Sequence, residues 1–173
     1  MTRPIRLALL GKSGSGKSRA GEFLSQHLGV EHLKTGFVCR QISRLLFANE
    51  DKGSTQLLDD ALTPIDPCIF LRATLRHITD NQGFVVDALR FHEDLVLARE
   101  YGCRVVKIVA PEDMRLQRLV ERGQAFDPAI DGEHRSETEL DNVLVDYEVA
   151  NDSDIAALER VLSRIVTEVS LEA

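Results

Sequence analysis

The sequence predicts an α/β fold of three layers, with helices on both faces of a central, mostly parallel sheet and a lid over one end. Three observations carry this. Short apolar runs alternate with amphipathic helical stretches, the first run ends at a glycine-rich turn, and a long periodic helix lies at the C-terminal end. Strands buried on both faces read as nearly continuous apolar runs, and parallel strands need helical crossovers between them.

The first such run is Ile5 to Leu10, which stops at Gly11. Gly83 to Asp87 and Arg104 to Ala110 are predicted as further strands by the same pattern. Leu71, Leu75 and Ile78 mark one helix, and Leu116, Leu119 and Val120 another. In the last helix Ile155, Leu158, Leu162, Ile165, Val166 and Val169 recur at helical spacing behind Ser153, the expected N-cap. Two stretches lack strong periodicity, Asn49 to Pro67 and Gly123 to Arg135. They are expected to be loops over a cleft at the carboxyl ends of the strands, with disorder as the alternative.

The 173 residues suit one domain, 1–173, and 43% hydrophobic content suffices for a buried core. A net charge of −7 argues against general affinity for nucleic acid or anionic membrane, so any polyanion site must be local. Cys39, Cys68 and Cys103 are odd in number and widely spaced, which suggests neither a disulfide framework nor a metal site. The apolar runs are too short to span a bilayer and the N-terminus lacks a signal-peptide pattern, so a cytoplasmic, unprocessed protein is expected.

Gly11-Lys12-Ser13-Gly14-Ser15-Gly16-Lys17-Ser18 satisfies GxxxxGK[ST] between a predicted strand and a predicted helix, the context the P-loop requires. Its glycines let successive backbone N–H groups point inward at phosphate oxygens, helped by the positive end of the following helix. Lys17 is expected on the β- and γ-phosphates of ATP, and the Ser18 hydroxyl on Mg²⁺. The fold expectation is thereby a P-loop NTPase fold.

Downstream, Lys34-Thr35-Gly36-Phe37-Val38-Cys39-Arg40 resembles the Thr-Gly and following Arg of adenylate-kinase-like enzymes, although Phe37 stands where those commonly carry an acid. The resemblance is to the nucleoside monophosphate kinase group. It implies that Arg40 holds the acceptor phosphate and that Thr35 lines the acceptor pocket, within a subregion 35–80. Asp87-Ala88-Leu89-Arg90, at a strand end, resembles the corresponding segment of monophosphate kinases and, more distantly, dephospho-coenzyme A kinase. Asp87 there can organise Mg²⁺ or bind the acceptor, and Arg90 can neutralise phosphate charge, a helix-capping Asp being the structural alternative.

Arg115, Arg118 and Arg122 form one helical stripe, which faces either solvent or phosphate. By resemblance to P-loop kinases, Arg118 and Arg122 are charge-stabilising residues entering a lid at 123–135, and Arg135 closes at its far edge. Ser136 and Glu139 are spaced as a capping box, and His134 reads as a surface residue. Over His134 to Leu140 and Val145 to Asp152 the tail resembles deoxynucleoside monophosphate kinases of bacteriophage type, which implies that the loop Asn151 to Asp154 borders the nucleotide base, with Asn151 among the nucleotide-binding residues.

The resulting expectation is an ATP- and Mg²⁺-dependent transfer of the γ-phosphoryl group to a (deoxy)nucleoside monophosphate, a small-molecule partner. A homodimer is compatible with it. The alternatives are a P-loop kinase acting on a hydroxyl of another small molecule or a modified DNA base, with Asp87 as base, and a non-catalytic nucleotide switch.

Overall fold

A computed structural model describes residues 3–173. Its strands are β1 (Arg6–Leu10), β2 (Glu31–Lys34), β3 (Phe84–Asp87), β4 (Arg104–Val109) and β5 (Tyr147–Ala150). Its helices are α1 (Lys17–Leu28), α2 (Thr35–Phe47), α3 (Lys52–Leu62), α4 (Ile69–Leu75), α5 (His92–Glu100), α6 (Glu112–Glu121), α7 (Arg135–Thr138) and α8 (Ile155–Leu171). The five strands form one sheet in the order β2-β3-β1-β4-β5, and every pairing is parallel. Three layers result, as the alternation of apolar runs and helices predicts.

Alternation along β1 divides the core. Leu7 and Leu9 face α1 and α8, packing with Leu24, Leu158 and Leu162, while Ala8 and Leu10 face Leu71 of α4 and Leu97 of α5. A third, smaller cluster of Cys39, Leu58 and Phe70 ties α2, α3 and α4 into the lobe beside the sheet. All three cysteines are buried and free. Among the described residues no helix is long and apolar enough to cross a membrane.

Four local expectations are corrected. The stretch Asn49 to Pro67 is not a loop but contains α3, capped where the Asp51 carboxylate accepts a hydrogen bond from Ser54 N at 2.7 Å. Its first turn carries the weak helix formers Gly53, Ser54 and Thr55, but Gln56, Leu57, Leu58, Ala61 and Leu62 favour helix and Leu58 packs in the cluster with Cys39 of α2. Helix α8 is capped by Asp154, not Ser153, its carboxylate accepting from Ala157 N at 2.7 Å. The capping box at Ser136 and Glu139 gives way to His134, whose ring nitrogen accepts from Ser136 N at 3.2 Å. In α6 the inward residues are Arg115 and Leu119, while Val120 is exposed. Arg115 turns inward because its guanidinium meets a polar partner, the Ser13 carbonyl.

Candidate active site

The turn from β1 into α1 is the centre of the site. Gly11, Gly14 and Gly16 have φ of 142°, 79° and 103°, a region that L side chains rarely adopt. Space enforces the same choice. A Cβ on Gly11 would lie 2.3 Å from the Ile108 carbonyl oxygen, and one on Gly14 would lie 2.5 Å from that of Arg115.

A turn that aims its amides inward turns carbonyls outward, and each needs a donor. Lys17 Nζ donates to the carbonyls of Gly11 (2.5 Å) and Lys12 (2.9 Å). Arg115 donates to Ser13 O at 3.0 Å, and Arg118 reaches Gly14 O at 3.5 Å and Asn151 O at 3.2 Å. Asn151, buried, donates from Nδ2 to Ser15 O at 2.7 Å. Arg115, Arg118 and Asn151 thus fasten the turn to α6 and to the β5–α8 connection. Asn151 touches the P-loop backbone directly, a contact the sequence did not suggest.

The inward side holds an anion already. Glu137 of α7 accepts hydrogen bonds from Ser13 N and Ser13 Oγ, both at 2.7 Å, and from Lys52 Nζ at 2.8 Å. Burial pulls the Glu137 carboxyl upward, but Lys52, Lys17 and the Ser13 hydroxyl outweigh it and hold the pKa down to about 2. Burial pushes Lys17 down to about 8, against the pull of Glu137. The Ser13 amide thus already donates to an oxyanion, and this amide, the glycine-rich turn and Lys17 fit a nucleotide polyphosphate. The residues also fit Mg²⁺, since Ser18 offers an exposed hydroxyl at the mouth and Asp87 a carboxylate, both hard oxygen donors.

Asp87 ends β3 with its side chain buried, and His32 Nε2 lies 3.1 Å from Oδ2. Gly21 makes room for that ring, because a Cβ there would lie 2.3 Å from Nε2. Thr35, also buried, donates from Oγ1 to the carbonyls of Asp87 (3.1 Å) and Ala88 (3.0 Å), fixing the start of α2 against the end of β3.

A cleft of about 180 Å³ is lined by Ser13, Gly14, Lys17 and Ser18 of the cradle and, beyond it, by Gly36, Arg40, Glu50, Lys52, Arg90 and Arg122 among others, five cations to one carboxylate. Arg40 is exposed, and its guanidinium lies beside Gly36. Arg90 is engaged by Asp59 at 3.1 Å, a carboxylate 2% exposed whose pKa burial raises. Asp94 accepts from Arg90 N and Phe91 N, and burial raises its pKa to about 6.

The structure therefore gathers Lys17, Ser18, Arg40, Arg90 and Arg122 along one cleft, with Asp87 close enough that its charge raises the Lys17 pKa. Arg118 sits on the outer side of the cradle. Arg135 stands apart, donating to Glu139 at 2.9 Å with its guanidinium 4.5 Å above the Phe91 ring. Sequence reasoning missed Lys52, Asp59 and Glu137. Lys52 and Asp59 lay in the stretch read as a loop, and Glu137 sat inside the supposed capping box.

No family model matches the chain. Adenylate kinase 1 of a Nostoc species is 27% identical over 132 residues, covering 70% of this chain and 71% of that one. The cytidylate kinase of the aster yellows witches'-broom phytoplasma is 39% identical over 62 residues, 33% of this chain and 28% of that enzyme. A gluconokinase structure from Sinorhizobium meliloti superposes with a TM-score of 0.66 at 18% identity, over 100% of this chain and 99% of that one. The chain thus has the P-loop kinase fold, and distant homology to adenylate and cytidylate kinases supports a P-loop kinase.

Proposed function

We propose that the protein transfers the γ-phosphoryl group of ATP to a (deoxy)nucleoside monophosphate, giving two diphosphates. The observation that carries this reading is the charge of the cleft, where Arg40, Lys52, Arg90 and Arg122 line the same space as Lys17. An acceptor phosphate needs no base, because its oxygen is already ionised; it needs its charge offset. Two unit charges 4 Å apart at an effective dielectric of ~20 repel by about 4 kcal/mol, and cations at the cleft wall remove that barrier.

In this mechanism the amides of the P-loop and Lys17 hold the donor phosphates; Ser18 and Asp87 would hold Mg²⁺, which when bound would supply charge neutralisation. Arg40 and Arg90 bind the acceptor phosphate, with Thr35 beside them. An acceptor oxygen forms the new bond to the γ-phosphorus as the bond to the β–γ bridging oxygen breaks, leaving ADP. Arg122 faces the cleft, and Arg118 braces the cradle and Asn151 beside the proposed base site. Arg135 reaches the donor only if the 123–135 segment and α7 move as a lid, which would also exclude water.

One observation favours a second reading. Arg90 is already paired with Asp59, and Asp94 lies in the same floor as these two. Carboxylates beside the acceptor suit a hydroxyl-bearing substrate better than a phosphate. The test is ADP release with ATP and Mg²⁺ against a panel of nucleoside and deoxynucleoside monophosphates and of phosphate-free polyols, with product masses. A new diphosphate from one or a few members is expected. Turnover only with polyols would overturn the first reading in favour of the second.

A further inference from the structure

We propose that Lys52 is a further catalytic cation of this cleft, gripping the transferred phosphoryl group, and that Glu137 keeps that position in the group's absence. The proposal rests on the phosphotransferase reading above and adds two residues to it. The geometry is a shared carboxylate. Glu137 takes the Ser13 amide and hydroxyl and the Lys52 ammonium together, so Lys52 Nζ and a cradle amide converge on one anion from two sides.

Lys52 and Glu137 come from α3 and α7, are 85 residues apart, and have side chains only 7% and 6% exposed. Taking two charges so far out of water costs about as much as their attraction returns, so stability alone is a poor reason for this pair. Its place gives a better one. The Ser13 amide belongs to the nest that receives phosphate oxygens, and a carboxylate and a phosphate cannot both accept from it. A triphosphate entering the cradle must displace Glu137, and Lys52 then faces the newcomer without its counterion.

The surrounding charges favour that exchange. Lys17 and Arg90 lie near enough to Lys52 that their charges interact, and the Lys52 pKa is lowered, by burial first and then by Arg90. Converging cations hold a multiply charged phosphoryl group better than a single carboxylate. Lys52 also sits at the start of α3, in the lobe that carries Arg40, so it approaches the transferring group from the acceptor side. A lysine there can follow the charge as it moves from donor to acceptor.

The experiment uses the full chain and three single variants, Glu137→Gln, Lys52→Met and Lys52→Arg, each checked by thermal unfolding. Inorganic tripolyphosphate binding is read by calorimetry without metal, and kcat and KM with the acceptor found in the panel. Glu137→Gln, which keeps the shape and removes the charge, is expected to bind tripolyphosphate at least about fivefold more tightly. Lys52→Met is expected to lose about 100-fold in kcat with a much smaller change in KM, and Lys52→Arg to recover most of it.

Unchanged or weaker tripolyphosphate binding by Glu137→Gln overturns the exchange. A Lys52→Met kcat within about threefold of the parent overturns the catalytic assignment. If Lys52→Met does not fold, Lys52→Arg decides instead: retained kcat supports the cation, and a loss as large as that of Lys17→Ala overturns it. The tripolyphosphate arm stands without any acceptor, so failure of the panel assay and failure of this proposal are distinguishable.

Discussion

From Gly11 to Gly16 each carbonyl of the cradle meets a donor from Lys17, Ser15, Arg115, Arg118, Asn151 or the first turn of α1. Across the cleft the charged groups meet one another instead: Lys52 holds Glu137, and Arg90 holds Asp59. On the proposed reading, the donor side is thus fixed by bonds to its backbone carbonyls that a ligand leaves in place, save for the Lys17 contacts, and the bonds of Ser13 to Glu137 are what it displaces there. The proposed acceptor side is held by ion pairs, Lys52 with Glu137 and Arg90 with Asp59, that a ligand would have to rearrange. Preorganised amides cost nothing at the moment of reaction, whereas exchangeable pairs let the site sense whether its substrate has arrived.

The largest effect should come from the one side chain that joins both halves. Lys17→Ala is expected to lower kcat about 10³-fold, measured by ADP release under saturating ATP and acceptor. The fold should survive, because its ammonium bonds only two carbonyls of its own loop. A variant with near-parental turnover would show that the cradle amides and Lys52 suffice, and the contrast between the two sides would fail.

Next in size is Arg40, the exposed cation proposed to hold the acceptor phosphate. Charge-assisted hydrogen bonds to a phosphate contribute about 1.5–3 kcal/mol, so Arg40→Ala should raise the acceptor KM about 10- to 100-fold. Affinity for a non-hydrolysable ATP analogue, measured by calorimetry, should stay unchanged. Equal losses for donor and acceptor would place Arg40 on both and blur the division.

The two sides also differ in how much of them the sequence shows. The cradle is local, eight consecutive residues whose spacing implies both the turn and its strand–helix context, and the sheet follows from β1, β3 and β4 as apolar runs. Lys52 and Glu137 are 85 residues apart, and Asp59 and Arg90 are 31 apart, so only the fold brings them together. Strand β2, Glu-His-Leu-Lys, escapes an apolar search because it is an edge strand with one buried residue, Leu33. Arg115 reads as a member of a stripe that faces either solvent or phosphate, yet it is buried on Ser13 O, since an arginine can be inward when an orphan carbonyl waits for it.

Proton linkage separates the halves more gently. The Lys17 pKa, depressed to about 8, means that the empty folded protein holds this proton less tightly than a free lysine does. As pH falls from the unfolded value the unfolded chain protonates first, so burying Lys17 costs stability, and the full cost is present below about pH 8. Only the ammonium grips phosphate. Affinity for the ATP analogue should therefore fall as pH rises through 8, approaching about tenfold per unit, with a proton taken up on binding. Calorimetry in two buffers of different ionisation enthalpy reads that proton, and a flat profile from about pH 7 to 9 would remove Lys17 from the donor site.

The smallest effect is expected at Arg135, and it sharpens the comparison because the sequence groups this residue with the lid arginines. Its guanidinium is committed to Glu139 at 2.9 and 3.1 Å and to the Phe91 face, and its side chain is 46% exposed. Exposed pairs of this kind contribute about 0.5–1 kcal/mol, so Arg135→Ala should lower the unfolding free energy by that much and leave kcat within about threefold. Denaturant unfolding and steady-state turnover check the two halves. A kcat loss of about 10²-fold or more would mean that Arg135 leaves Glu139 and swings onto the donor phosphates, as a closing lid requires. Helix α7 would then carry two charges that exchange on closure, with Arg135 moving in as Glu137 moves out.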